Sequence, residues 1–401
     1  MKISELRTIR DPAVPSILFL EVLTDDGIVG LGETCLGTAA VEAHLFEAVA
    51  PKVLGTSPLE LERISRELYD DFVGFSDSGV ATRARSALDL ALWDILGKVT
   101  GVPLYQLLGG RTRAAVPVYN SCAGPAYGMT DANVDRLGNL PADAASHPLD
   151  DLYASRHRPV ELAGELLDAG ITGMKVWPFD GLALAGEGRH IDWDRFHEDL
   201  RPLRQIHDAF GRRMKIMVDL HGLWRTPAVF DVVAALEEIE PYWIEDPVKV
   251  DSLDLLRRVA ERTRVPIVAG ETLATPWAFR TLIEEVPLGT VMFDIGWMGG
   301  LTEAKKVATL ADVGGLTFSP HDCTGPVVFA AGIHLSVSAT NALLQESVRA
   351  FYQGWYGDCV DGLPEVLDGA VSPTDRPGHG LHLSPAYLAS DRVLVRSTED
   401  R

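Results

Sequence analysis

Three acidic residues recur at equal intervals in this chain: Asp219, Glu245 and Glu271 are 26 residues apart, and each ends a short apolar run. The runs Ile216 to Leu220, Tyr242 to Glu245 and Ile267 to Gly270 read as strands, and the 26-residue interval is one strand plus one helix. A chain that repeats strand and helix builds a parallel sheet. If that sheet closes into a barrel, the C-terminal strand ends meet on one face. The spacing therefore predicts three carboxylates converging at a barrel mouth.

The same texture extends from Val116 to Gln345. Further strands are expected at Val116 to Ser121, Met174 to Pro178, Val291 to Ile295, Leu316 to Ser319 and Leu343 to Gln345. One intervening helix runs through Leu162, Leu166 and Leu167. Another starts at Ser252 as N-cap and carries Leu253, Leu256, Val259 and Ala260. Eight strands in this order suggest a closed parallel α/β barrel over residues 116–350. The 115 residues before it read as α+β: a hairpin turning at Asp25-Asp26-Gly27, then an Ala- and Leu-rich helix from Ala81 to Gly97. The Gly- and Pro-rich chain after Arg349 is expected to pack back on that front unit, completing it with residues 351–401. Residues 122–158 lack periodicity and read as a long loop, of the kind that covers a site.

With 36 Lys+Arg against 57 Asp+Glu, the formal charge of −21 argues against nucleic acid or an anionic membrane as partner. Four scattered cysteines form no metal-thiolate or disulfide pattern, and no apolar run is long enough for a membrane span. A cytoplasmic protein acting on a small molecule is the expectation.

Three oxygen ligands without sulfur suit Mg²⁺, with Mn²⁺ as a substitute, and the acids would repel one another without a cation. The following strands add Asp294 and His321, placed so that the carboxylate fixes one ring nitrogen and leaves the other as a base. Lys175, in the second strand, is expected to face the same mouth and neutralise a substrate carboxylate. Glu346, after the last strand, would donate a hydrogen bond if burial keeps it protonated.

The ordered set Lys175, Asp219, Glu245, Glu271, Asp294, His321 and Glu346 resembles the mandelate racemase subgroup of the enolase superfamily. So do Thr24-Asp-Asp-Gly-Ile-Val-Gly-Leu-Gly-Glu33 and Ala87-Leu-Asp-Leu-Ala-Leu-Trp-Asp-Ile-Leu-Gly-Lys98 in the front unit. The resemblance implies a capping α+β domain on a (β/α)7β barrel. It further implies Mg²⁺ held by Asp219, Glu245 and Glu271, and abstraction of the α-proton of a carboxylate by His321 with Asp294. A homo-oligomer is common in the family. The chain departs from the subgroup where a second lysine often follows Lys175 by two residues, since Trp177 stands there and cannot transfer a proton.

His221, two residues beyond Asp219, would project on the same side of the strand. Asp219-Leu220-His221 is similar to the Asp-x-His of acid-sugar dehydratases, which implies that His221 protonates a departing β-hydroxyl. Two rivals stand beside a dehydratase: an epimerase, racemase or cycloisomerase using the same enediolate, and a non-catalytic binding protein on the same fold. Substrate choice is expected to lie with the loop from Asp11 to Ser16, with residues 122–158, and with Trp177 and Trp297.

Overall fold

The structure is a computed structural model and describes residues 1–70, 79–127 and 147–400. Strands β1 (Ile3–Arg10), β2 (Ile17–Thr24) and β3 (Val29–Cys35) form an antiparallel sheet, with the late strand Leu394–Ser397 on the outer edge of β1. The β2–β3 turn closes as the sequence suggests: Gly27 sits at φ 80°, a region where an L side chain is strained. Helix Gly79–Thr100 covers this sheet very closely. Cβ atoms built on Gly30 and Gly32 of β3 would lie 2.2 Å from the Ala91 carbonyl and 1.9 Å from that of Ala87, so only glycine allows the approach.

The chain then forms eight parallel strands with helices between them. They are β4 (Val116–Ser121), β5 (Gly173–Val176), β6 (Lys215–Asp219), β7 (Trp243–Glu245), β8 (Ile267–Ala269), β9 (Thr290–Phe293), β10 (Thr317–Pro320) and β11 (Gln345–Ser347). Parallel ladders run from β4 to β10 in sequence order, and β11 returns to β4. The seam between β10 and the approach to β11 is closed by Phe318, which donates to the Asn341 carbonyl and accepts from Leu343 N–H. The barrel interior is filled by Tyr119, Met217, Trp243, Val268, Met292 and Leu344, so it is a packed core rather than a channel. This is the modified TIM barrel anticipated above, with an α+β unit against it.

Several local expectations need correction. Ser252 stands at the N-cap of helix Leu253–Ala260, but its side chain makes no capping bond there. The last barrel strand starts later than its apolar residues suggest, so Glu346 lies inside β11 rather than after it. Within 122–158, residues 128–146 lie outside the described residues. The remainder is not all loop, because Asp151–His157 is helical with Asp150 accepting from Tyr153 N–H at its start. After Arg349 the chain divides its contacts. Ala370–Val371 pairs with β4 of the barrel, and only the later strand Leu394–Ser397 joins the front sheet. Among the described residues, no helix is long and apolar enough to cross a membrane.

Consecutive residues of β3 bind the front unit to the barrel. Glu33 accepts from Val327 N–H (3.0 Å) and Val328 N–H (2.9 Å) at the start of helix Pro326–Ser338, and Thr34 Oγ1 donates to the Gly296 carbonyl at 2.7 Å. Removing the Glu33 carboxylate strands two buried N–H groups at a helix N-terminus. Glu33→Ala is therefore expected to cost roughly 2–4 kcal/mol in urea unfolding, and Glu33→Gln, which keeps one acceptor, about half as much.

Another contact at the same seam titrates. His334 is fully buried in helix Pro326–Ser338, stacks on Tyr105 with ring centroids 5.8 Å apart, and accepts Tyr105 N–H at Nδ1 (3.1 Å). Burial, and then the neighbouring His379, push its pKa down to about 3. The unfolded chain takes up this proton near pH 6.5 and the folded chain only near 3, so stability is lost as pH falls through that window, by up to about 1.4 kcal/mol per pH unit. His334→Asn, which keeps an acceptor but cannot titrate, should flatten the pH dependence of unfolding between pH 6.5 and 3. An unchanged slope would show that His334 does not set it.

Candidate active site

The barrel brings the predicted acids together. Asp219 ends β6 in register with Glu245, which ends β7. Glu271 follows Gly270, whose φ of 123° and 2.5 Å Cβ clearance to the Met292 carbonyl exclude a side chain just before it. One oxygen from each of the three carboxylates lies within 4.8 Å of the others. Lys175 of β5 projects into this cluster, with Nζ 2.6 Å from Glu245, 2.9 Å from Glu346 and 3.5 Å from Asp219. Burial would strip its proton, but the surrounding carboxylates outweigh burial and hold it as an ammonium.

A histidine stands on each side of the triad, and each is oriented by an aspartate. His321 Nδ1 is 2.7 Å from Asp294 Oδ2, and its Nε2 is 3.3 Å from Glu271 Oε2. Asp294 is held in turn by Gly296 N–H at 2.7 Å. Opposite, His221 Nδ1 is 2.8 Å from Asp180 Oδ2, and its Nε2 is 3.3 Å from Asp219 Oδ2. Strand alternation does not place His221 here. β6 has already ended, and His221 (φ 49°) and Gly222 (φ 63°) form a left-handed turn that Asp219 Oδ1 secures by accepting His221 N–H at 2.8 Å. Burial opposes protonation of both imidazoles. It is outweighed at His221 by Asp219 and Asp180, which raise its pKa to about 10, and at His321 by Glu271, Glu346 and Asp294.

Glu346 differs from its expected state. It is fully buried, yet Lys175, the His321 imidazole, the Ser121 hydroxyl and Asp322 N–H (2.9 Å) outweigh burial and hold its pKa to about 2. An ionised Glu346 accepts hydrogen bonds and cannot donate one. In this state it anchors Lys175 at 2.9 Å.

Sequence reading missed Asp180, Asp246, Ser121 and Asp322. Asp180 opens a short helix after β5, where an acid is ordinary. Asp246 follows Glu245, so strand alternation would send it to the other face, but its φ of 36° turns it back, and burial together with Glu271 and Asp219 raises its pKa. Nothing in the local pattern distinguishes Ser121 or Asp322. Trp177 and Trp297 do line the cavity over the triad, whose volume is about 340 Å³. So do Ser16 from the first loop and Tyr127 from the 122–158 segment.

The residues suit a hard divalent cation. Seven carboxyl groups, Asp180, Asp219, Glu245, Asp246, Glu271, Asp294 and Glu346, gather around Lys175, His221 and His321, and Glu271 Oε2 is buried without a hydrogen-bond partner. Oxygen donors from Asp219, Glu245 and Glu271 would hold Mg²⁺ or Mn²⁺.

An eight-stranded barrel with a docked α+β unit, carrying an acid triad and two imidazole–aspartate pairs at its mouth, is the architecture of the enolase superfamily. Sequence comparison agrees. Residues 158–387 match the family described as Enolase C-terminal domain-like, and residues 10–109 match the Mandelate racemase / muconate lactonizing enzyme N-terminal domain. The chain belongs to the mandelate racemase and muconate lactonizing enzyme family of the enolase superfamily, and is an enzyme. It is 40% identical to a mandelate racemase subgroup enolase from Agrobacterium tumefaciens, with a TM-score of 0.86 over 99% of this chain and 98% of that one. An enolase protein from Sargasso Sea environmental sequencing is 37% identical, with a TM-score of 0.87 over 99% and 98% of the two chains. D-galactonate dehydratase of Xanthomonas euvesicatoria pv. vesicatoria is 29% identical over 97% of this chain and 94% of its own length.

Glu271 Oε2 makes no hydrogen bond and is approached by His321 Nε2 at 3.3 Å. Glu271→Gln is expected to weaken Mg²⁺ binding, measured calorimetrically, by about 100-fold or more. Unaltered affinity would place the cation elsewhere.

Proposed function

We propose that this chain is a Mg²⁺-dependent acid-sugar dehydratase that converts an aldonate or aldarate to a 2-keto-3-deoxy acid. The observation that carries this reading is the pair of imidazole–aspartate dyads on opposite sides of one acid triad, each with Nε2 3.3 Å from a triad oxygen. Elimination of water needs a base at the α-carbon and an acid at the β-hydroxyl, and one dyad is available for each. Relatives named D-galactonate dehydratase, similar along nearly the whole chain, support the same class.

In this mechanism His321 Nε2 accepts the α-proton while Asp294 holds Nδ1 and stabilises the imidazolium that forms. His321 must begin neutral, and it loses the pull of Glu271 when that carboxylate is committed to a cation. A divalent cation bound by Asp219, Glu245 and Glu271 would supply Lewis-acid stabilisation to the substrate carboxylate as charge builds there. The Lys175 ammonium, kept in place by Glu346, adds a second positive group at the same point. His221, oriented by Asp180, gives its proton to the departing β-hydroxyl. The α C–H and β C–O bonds break, a C=C bond forms, and water leaves. The resulting enol tautomerises to the ketone. A buried Trp177 beside His221, with ring centroids 5.7 Å apart, leaves no lysine for a lysine–histidine two-base cycle. Four free cysteines are in keeping with a reducing, cytoplasmic setting.

The same two dyads would also serve epimerisation, with His221 returning a proton to carbon. A screen of acid sugars with Mg²⁺ separates the two. Dehydration yields a 2-keto acid, whereas epimerisation yields none and washes solvent deuterium into C2. His321→Asn should lower kcat by roughly 10²–10⁴ and abolish both product and exchange. His221→Asn should block 2-keto acid formation yet retain deuterium exchange at C2. Loss of exchange together with product would remove His221 from the leaving-group step.

A further inference from the structure

The dyads and the triad account for one end of a substrate, the carboxylate and its two neighbouring carbons. They leave unused a cation on the far wall of the same cavity. Arg83 comes from helix Gly79–Thr100 of the capping unit and lines the cavity together with Trp297 and His321. The three side chains form a file: the His321 and Trp297 ring centroids are 5.1 Å apart, and the Arg83 Cζ lies 5.6 Å from the Trp297 ring. Trp297 is itself fixed, its Nε1 donating to Cys35 Sγ at 3.2 Å.

Among the described residues lining the cavity, Lys175 and Arg83 are the two fixed cations. Lys175 is fully engaged by Glu245, Glu346 and Asp219. Arg83 has no carboxylate within ion-pair distance among the described residues, and its Nε is buried without a hydrogen-bond partner. A guanidinium held against an indole face keeps its planar fork free for an incoming anion. Among the other described residues that line the cavity, Tyr127, Trp177, Phe351 and Trp355 add aromatic surface and Ser16 and Thr272 add hydroxyls.

We infer that Arg83 binds a second carboxylate at the distal end of the substrate, which makes the substrate a diacid: an aldarate rather than an aldonate. A lone guanidinium matches a carboxylate monoanion by two parallel N–H bonds. The strongly acidic chain, at −21, repels a dianion unless positive groups are placed at both of its ends. Arg83 supplies the second of these. The inference deepens the acid-sugar reading and takes its substrate class from it.

The test has a binding arm and a turnover arm, both with Mg²⁺ present. In the first, calorimetry compares the unreactive diacid adipate with the monoacid hexanoate. Adipate should bind wild type at least tenfold more tightly, and Arg83→Met should erase that margin while Arg83→Lys, which keeps charge but not the fork, keeps part of it. In the second, the ratio of kcat/KM for six-carbon aldarates to that for matched aldonates should fall about 100-fold in Arg83→Met. Thermal unfolding checks that both variants are folded. Equal affinity of wild type for adipate and hexanoate, parallel losses for both acids in Arg83→Met, or a preference for a 6-phosphorylated aldonate would overturn the assignment. If no acid sugar is dehydrated but the adipate margin collapses as stated, the dehydratase reading fails and the Arg83 site stands. If acid sugars are dehydrated with an unaltered aldarate-to-aldonate ratio, the reverse holds.

Discussion

Like charges crowded at the mouth of a barrel repel, and burial magnifies that repulsion because little water remains to screen it. Asp219, Glu245, Glu271 and Glu346 are brought within reach of one another by strands that cannot move apart without breaking the sheet. One buried ammonium, Lys175, touches three of the four, and two imidazoles approach Asp219 and Glu271 at 3.3 Å. The site is thus electrostatically unfinished, with more negative than positive groups, and this is what suits it to a divalent cation. Glu346 is held ionised against both burial and this excess by Lys175, the His321 imidazole, the Ser121 hydroxyl and Asp322 N–H.

The two dyads are alike in arrangement and unlike in origin. His321 and Asp294 come from the ends of adjacent strands, β10 and β9, so the barrel repeat itself juxtaposes them. His221 and Asp180 come from a left-handed turn and a helix start, two irregular pieces that follow β6 and β5. Regular structure therefore fixes the His321 dyad and loop conformation fixes the His221 dyad. A site built this way can alter one dyad by altering a turn without disturbing the triad.

The capping unit does more than close the cavity. Glu33, Thr34 and Cys35 of β3 bind, in order, a barrel helix terminus, the Gly296 carbonyl and the Trp297 indole. Glycines at 30 and 32 allow the helix that bears Arg83 to lie directly on this strand. Trp297 thus stands against the strand, and Arg83 on the helix, that dock the two units.

From the chain alone, the 26-residue interval of Asp219, Glu245 and Glu271 determined a parallel barrel with converging acids, because the repeat length is set by one strand and one helix and strand ends share a face. Asp294, His321 and Lys175 were legible for the same reason. What the linear pattern could not carry was conformation outside regular structure and charge state inside the cluster. Positive φ at Asp246 reversed the direction that alternation assigns, a left-handed turn rather than alternation set the place of His221, and Asp180 reached His221 across 41 residues of chain. The ionisation of Glu346 depended on Lys175, Ser121 and Asp322, which only folding brings to it. Periodicity is a property of the backbone and is written in the sequence; electrostatic neighbourhood is a property of distance in space and exists only once the barrel has closed.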